Sequence, residues 1–300
     1  MRILVTGSKG QLGNELRRLI ETGKAEIGSV SAEYENAQVD YVDYDTLDIT
    51  DGAAVSSWMA QHEYDLVINC AAMTNVDGCE AQEEAAFKVN AQGPENLARE
   101  CEKQGAKFVQ VSTDYVFPGT DSVPRTENDP TGPLSAYGRS KLAGEQATKE
   151  NCSKYFIVRT AWLYGYVGKN FVKTMLSLGK TKDEIFVVND QLGNPTSAND
   201  LAYEILKVAL TEHYGIYHCT NEGTCSWADF SAAIMQGAGL NCKVNRCTSK
   251  EYKEMNPASA SRPAFSSLEN VHLKVTVGNE MRNWQDALKT YLENLPELEG

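Results

Sequence analysis

Arg2-Ile-Leu-Val-Thr-Gly7-Ser-Lys-Gly10-Gln-Leu-Gly13 decides the fold. Its first half is a short unbroken apolar run, as expected for a strand covered on both faces. Glycines follow at once, three apart, and Asn14-Glu-Leu-Arg-Arg-Leu-Ile20 continues with helical spacing. Gly7, Gly10 and Gly13 allow a tight turn that brings backbone N–H groups and a helix N-terminus against a pyrophosphate. A plain turn before a helix is the competing reading. The strand before the glycines and the helix after them favour the phosphate-binding one.

The rest of the chain extends this strand–turn–helix unit. Lys24 to Gln38 reads as a loop, and Val39-Asp-Tyr-Val-Asp43 as a second strand ending in an acid. An acid there accepts hydrogen bonds from the adenosine ribose; Asp43 is the first choice and Asp45 competes with it. Tyr44 stands where a basic residue would receive a 2′-phosphate, which favours NADH over NADPH. Leu47 to Thr50 reads as a short third strand, and Asp51 as the cap of a helix reaching Gln61. Tyr64 to Asn69 is a fourth buried strand. The small residues after it, among them Ala71 and Ala72, leave room for a flat ligand against the backbone.

Helices are expected from Glu80 to Asn90 and from Pro94 to Gln104. Asn90 either caps a helix end or serves a structural role beside the active site. Lys107 to Val111 is the fifth strand, and the hydroxyls of Ser112 and Thr113 leave its end at the ligand-facing rim. Tyr155 to Arg159 is the sixth. Strands alternating with helices imply an α/β fold, a doubly wound parallel sheet of the Rossmann kind. Beyond Gly165 the alternation loosens. Helices at 171–180, 196–211, 226–237 and 284–294 and strands at 185–189 and 215–220 predict a smaller α+β lobe. The expected division is residues 1–165 for the dinucleotide and 166–300 for the second lobe, with the chain free to cross between them.

On the helix after the fifth strand lies Ser135-Ala-Tyr137-Gly-Arg-Ser-Lys141. Residues four apart share one helix face, so Tyr137 and Lys141 meet. An ammonium beside a phenol is expected to lower the tyrosine pKa from its usual value of about 10. Hydride transfer to a ketone leaves charge on its oxygen, which must be protonated or held by donors. Tyr137 can give that proton and Thr113 can steady the same oxygen. Lys141 can hold the nicotinamide ribose, with the hydride coming from the cofactor.

Composition narrows the classes. A net charge of −13 argues against a nucleic-acid groove or an acidic membrane surface. The 8 cysteines are scattered, with no C-x-x-C pair, so reduced thiols in a cytoplasmic protein are expected and a structural zinc site is not. The chain opens directly into a strand, which predicts no signal sequence. No apolar run approaches the ~18 residues of a membrane span.

These motifs together resemble the extended short-chain dehydrogenase/reductases: the glycine turn, Asn69-Cys-Ala-Ala72, Thr113 and Tyr137-x-x-x-Lys141. More narrowly, three further stretches resemble the dTDP-4-dehydrorhamnose reductase family. They are Val111-Ser-Thr-Asp-Tyr-Val-Phe-Pro-Gly119, Arg159-Thr-Ala-Trp-Leu-Tyr164 and Asn189-Asp-Gln-Leu-Gly-Asn-Pro-Thr196. Ser261-Arg262-Pro263 extends the similarity into the C-terminal part. The resemblance implies NAD(P)H-dependent reduction of the 4-keto group of dTDP-4-dehydro-L-rhamnose, as used in polysaccharide biosynthesis. It carries Thr113, Tyr137 and Lys141 over as catalytic. Gly10, Gln11, Leu12, Asp48, Ile49, Ala72, Met73 and Thr74 become cofactor neighbours. Thr113, Asp114 and Trp162 become contacts to the dTDP-sugar, with Asn170, Gln191 and Arg262 as further candidates. For Trp162, core packing competes with a platform for the ligand.

The family also includes metal-linked homodimers that use glutamates. Glu15 matches one of them, but Asn199 stands where another acid is expected, so magnesium gains little support and no metal ligand is assigned. Two rivals remain. Another nucleotide-sugar reductase or an epimerase/reductase would keep the chemistry and change the sugar. A non-catalytic regulatory subunit on the same fold, like that of methionine adenosyltransferase, would tend to lose Thr113, Tyr137 and Lys141, all of which are present.

Overall fold

The computed structural model describes residues 1–120, 122–257 and 262–295. The chain runs β1 (Arg2–Thr6), α1 (Gln11–Thr22), β2 (Gln38–Val42), α2 (Gly52–Gln61), β3 (Leu66–Asn69), α3 (Gly93–Gln104), β4 (Lys107–Thr113), α4 (Ala136–Asn151) and β5 (Tyr155–Thr160). It continues α5 (Phe171–Thr181), β6 (Glu184–Val188), α6 (Ala198–Ala209), β7 (Gly215–His218), α7 (Trp227–Gly237), β8 (Lys243–Cys247) and α8 (Trp284–Asn294), with short turns of helix and strand between them.

Six strands form one sheet in the order β7-β5-β4-β3-β1-β2, with every neighbouring pair parallel. β1, β3 and β5 are buried at nearly every position, because helices cover both faces. One face packs against α1 and α6, with Leu16, Leu19, Leu201 and Ile205 in the core. The other packs against α2 and α3, with Val55, Met59, Leu97 and Phe108. The order reverses between β1 and β3, which opens a crevice at the carboxyl ends of those strands.

The structure departs from the expected elements at several points. Leu47–Thr50 is not a strand, because local side chains satisfy its backbone instead. Asp48 Oδ1 accepts from Thr50 N at 2.9 Å and from Thr50 Oγ1 at 2.8 Å, and Asp51 caps α2. The missing place in the sheet is filled from beyond Gly165, since Gly215–His218 pairs with β5 at the far edge. That strand and α6 therefore belong with the large sheet rather than with a separate lobe. The expected loop at 24–38 holds a small hairpin, Lys24–Ala25 with Gly28–Ser29, and a helical turn that buries Tyr34.

A second core lies over the C-terminal half. β6 and β8 pair in parallel beside α5, α7 and α8, enclosing Val172, Phe230, Ile234, Trp284 and Tyr291. A buried charge network ties it to the first. Arg282 bridges Asp200 at 2.6 Å and Glu26 at 2.8 Å, and Glu26 accepts from Tyr166 OH at 2.6 Å.

The expected helix at 80–90 is broken. Val76–Ala81 and Glu83–Phe87 are followed by a π turn, Lys88–Gln92, that runs straight into α3. The wide turn faces Asn90 inward rather than ending a helix, and its carbonyl lies against Gly144 of α4, where a Cβ would overlap it. Gly144→Ala therefore forces α4 off this turn, at a cost of about 1–3 kcal/mol in urea unfolding.

Candidate active site

The first turn builds one wall of the site. Gly7 has φ +62°, and a Cβ there would lie 2.6 Å from Ala71 N, so β1 and β3 approach this closely only with glycine. A Cβ on Gly13 would lie 2.5 Å from Gly7 O, which brings α1 down onto the turn. Gly10 is the N-cap of α1 and supplies no side-chain cap. The N-terminus of α1 therefore presents uncapped backbone N–H groups beside a cavity of about 500 Å³ lined by Gly7, Gly10, Gln11, Leu12 and Gly13.

Asp43 leaves the end of β2 and its carboxylate is fixed by Lys9 N at 3.0 Å and Tyr44 N at 2.9 Å. Asp45 instead pairs with Lys9 Nζ at 2.6 Å. Asp43 is thus the acid joined to the backbone of the glycine turn. Asp48 and Ile49 stand on the loop after β2. The Asp48 carboxylate is occupied by Thr50, and the Ile49 side chain is buried against Gly93. None of these residues lines the cavity.

Ala72 and Thr74 line it from the end of β3. Ala71 and Met73 do not. Ala71 backs onto Gly7, and Met73 packs against Cys79, Ala86, Ala136 and Tyr137. Asn90 holds that loop: its Oδ1 accepts from Met73 N at 2.8 Å, and its Nδ2 donates to Met73 O and Ser140 Oγ, each at 3.0 Å. Of the two readings of Asn90, the structure supports the role beside the site.

Thr113, Tyr137 and Lys141 meet in this cavity. Ser135 caps α4, so Tyr137 lies in its first turn, and Gly138 sits so close under the Tyr115 carbonyl that a Cβ would overlap it. Tyr137 packs edge-on against Tyr115, with ring centroids 5.4 Å apart, and lines the cavity beside Thr113. The expected lowering of its pKa is not what the structure shows. Burial pushes the phenol above its ordinary value and the Asp114 carboxylate adds to the rise, opposed by the nearby Thr113 hydroxyl. Lys141 donates a hydrogen bond from its ammonium to Val111 O at 2.7 Å instead of neutralising a phenolate. Burial pushes Lys141 down to about 8, opposed by Glu145. The phenol is therefore a protonated acid at neutral pH.

Asp114 completes this wall. Thr113 Oγ1 donates to its Oδ1 at 2.8 Å, while its Oδ2 is buried with no hydrogen-bond partner. Burial pushes the carboxyl up to about 6, opposed by the Thr113 hydrogen bond and the nearby Ser266 hydroxyl. Opposite stands Trp162, the single non-glycine residue among those described with positive φ, at 46°. Its indole stacks on Trp227 at 3.5 Å and an interplanar angle of 6°, and Gly193 makes room for its edge. A bulky side chain held in a strained backbone marks a position fixed by its surroundings. Trp162 is half-buried and lines the cavity, so it is a wall of the site as well as packing.

The remaining candidates lie elsewhere. Asn170 caps α5 and donates to Gln11 Oε1 at 3.0 Å and Gly165 O at 2.8 Å, so it braces Gln11 without lining the cavity. Gln191 and Arg262 line an adjoining groove of about 930 Å³ with Lys250 and Lys253. Trp227 lines both spaces. It was not foreseen, because Ser226-Trp-Ala-Asp229 signals only a helix start. Ser261 lies outside the described residues. The Glu15 carboxylate is held by Arg18 at 2.8 Å and by Asn199 at 2.8 Å. Among the described residues no group of three or more His, Cys, Asp or Glu is placed to hold a metal.

A glycine cradle at an uncapped helix N-terminus, joined to a tyrosine–lysine pair and a strand-end hydroxyl, defines a nicotinamide-dinucleotide oxidoreductase of the doubly wound class. The chain belongs to the RmlD substrate binding domain family, whose model matches residues 1–296. It is similar to a dTDP-4-dehydrorhamnose reductase of Streptomyces griseus, with 39% identity over 100% of this chain and 94% of that one. A solved dTDP-4-dehydrorhamnose reductase of Clostridium acetobutylicum superposes with a TM-score of 0.91 at 46% identity, covering 98% of this chain and 99% of the other. Another, from Bacillus anthracis in complex with NADP, gives 0.90 at 38% identity over 97% and 98% of the two chains. The protein is an enzyme. No described helix is long and apolar enough to cross a membrane.

A carboxyl whose pKa rises on folding binds its proton more tightly in the folded state. Its ionisation therefore costs stability, fully above about 6 and not at all below the unfolded value near 3.8. Asp114→Asn is expected to gain on the order of 2 kcal/mol over wild type at pH 8, a gap that closes towards pH ~4, in urea unfolding at both pH values.

Proposed function

We propose that this enzyme reduces the 4-keto group of dTDP-4-dehydro-L-rhamnose to give dTDP-L-rhamnose. The observation that carries the reading is the convergence of Tyr137, Thr113 and Lys141 on one cavity beside the α1 N-terminus. Bound NADH or NADPH supplies the hydride.

This chain's residues do the rest. Gly7, Gly10, Gln11, Leu12 and Gly13 take the pyrophosphate on backbone N–H groups. Asp43 takes the adenosine ribose, with Asp48 and Ile49 on the neighbouring loop, and Ala71 to Thr74 flank the nicotinamide end. As negative charge develops on the sugar C4 oxygen, Tyr137 donates its proton, and the Thr113 hydroxyl, turned from Asp114, donates a hydrogen bond to the same atom. A phenol raised by burial is suited to this direction, because it is fully protonated before the reaction. Lys141, an ammonium below pH about 8, attracts the ribose hydroxyls and offsets the charge left on the phenolate.

The sugar lies between Asp114 and Trp162. Its diphosphate and base extend past Trp227 into the adjoining groove, where Lys250, Lys253, Gln191 and Arg262 offer cations and donors. Residues 1–165 thus serve mainly the dinucleotide and residues 166–300 the sugar nucleotide. Among the described residues all eight cysteines are free thiols, which supports a reducing, cytoplasmic setting.

The assay supplies dTDP-glucose with the dehydratase and epimerase that convert it, and follows NAD(P)H absorbance. Oxidation that depends on this protein is expected; none with either cofactor overturns the substrate assignment. Tyr137→Phe is expected to lower kcat by about 10²–10⁴-fold. Full activity in that variant overturns the proton-transfer role.

A further inference from the structure

Tyr137, Lys141 and Glu145 stand four residues apart on one face of α4, and their exposure falls from 9% to 4% to 0%. The third of them has no part in the chemistry described so far. Glu145 Oε1 accepts from Ser112 Oγ at 2.6 Å and from Arg159 Nε at 2.9 Å, while Oε2 accepts from Arg159 Nη2 at 2.7 Å. Ser112 and Arg159 are register partners across β4 and β5, and the next pair in the register is Thr113 and Thr160. Both of those line the cavity. One carboxylate therefore grips the two strand ends a single residue behind the reacting rim.

The other neighbours of the ion pair are neutral. Arg159 lies over the Phe117 ring at 5.0 Å and reaches His218 Nε2 at 3.4 Å. Burial pushes His218 down to about 3, so it is an uncharged imidazole. Facing Lys141 are Tyr137 and Glu145 from its own helix, Cys70 from the end of β3 and the Val111 carbonyl from β4, with Arg159 of β5 beyond Glu145. Burial pushes the Cys70 thiol up to about 12, so it brings no charge.

We propose that Glu145 is a positioning residue for the reduction: its carboxylate, clamped by Arg159, fixes the helix that carries Tyr137 and Lys141 against the strand ends of Thr113 and Thr160. This rests on the proton-transfer reading of Tyr137 and Lys141 given above. Removing the carboxylate acts twice. It leaves Lys141 buried without its acidic neighbour, so the ammonium is lost at lower pH. It also frees α4 to shift relative to β4, which displaces the phenol from the oxygen it protonates.

The test is Glu145→Gln in the full chain, read in two ways. Steady-state kinetics are expected to show kcat lowered by roughly 10-fold or more with KM within a few-fold, and the alkaline limb of the kcat–pH profile moved to lower pH. Carbon NMR of protein labelled at lysine Cε, with Lys141→Arg for assignment, is expected to show the Lys141 midpoint at lower pH than in the wild type measured alongside. The NMR arm needs no turnover and so stays readable if the reductase reading fails. A folded Glu145→Gln with an unchanged Lys141 midpoint overturns the proposal, whatever happens to activity. So does an unchanged kcat. Glu145→Asp keeps a partner for Arg159 and is expected to fall between the two proteins on both readouts. It decides the matter if Glu145→Gln does not fold, and wild-type values for it overturn the proposal.

Discussion

The active site depends on how closely α4 lies against the carboxyl end of the sheet. Two glycines permit that approach: Gly138 under the Tyr115 carbonyl and Gly144 under the Asn90 carbonyl, both too tight for a Cβ. Polar contacts then fix the position along the helix. Ser140 meets Asn90, Lys141 meets the Val111 carbonyl and Glu145 meets Ser112 and Arg159. A helix standing even an ångström further out would separate Tyr137 from Thr113, and reactions that depend on near-attack geometry lose roughly 10²-fold for such an error. The π turn at Lys88–Gln92 belongs to the same device, because it turns Asn90 towards both the Met73 loop and α4.

Burial, rather than pairwise charge, dominates the electrostatics of the cavity. It raises Tyr137 and Asp114 and lowers Lys141, so each group leans towards its neutral form. The cost falls on stability and the benefit on function: a phenol that keeps its proton can give it to a developing alkoxide. Deeper in the sheet, the Arg159–Glu145 pair follows a different logic. Buried ion pairs are weak evidence for stability, since well-packed apolar residues often do as well. A pair that joins one helix to two strand ends does have a geometric consequence, because a bidentate guanidinium fixes direction as well as distance.

Much of the architecture was legible because it rests on local rules. The apolar run of β1, the glycine spacing and the helical period after it specify a strand–turn–helix unit without help from the rest of the chain. The cap at Asp51 and the helices of the C-terminal half were legible for the same reason. Leu47–Thr50 misled because its alternation suits a strand, while Asp48 and Asp51 hydrogen-bond their own backbone. The strand at Gly215–His218 could be seen, but its sheet could not, because pairing is a long-range choice. In the site, the lining by Thr113, Asp114, Tyr137, Lys141 and Trp162 followed from motif and resemblance. Met73, Ala71 and Asn170 turned out to support the site from behind, which depends on rotamers and packing. The Trp162–Trp227 stack joins residues far apart in sequence, and nothing local announces it.

The sequence by itself determined a glycine turn between a first strand and a helix, and that a tyrosine, a lysine and a threonine are available at one rim. Those features depend on backbone freedom and on helical and strand periodicity, which are properties of neighbouring residues. The tertiary structure decided the ionisation of the groups at that rim. Proximity of Tyr137 and Lys141 in sequence suggested a phenolate, and enclosure by Tyr115, Met73, Cys79 and Ala86 made a buried phenol instead. The reason is that a charge's solvation depends on everything within reach of it, and most of what surrounds Tyr137 arrives from distant parts of the chain.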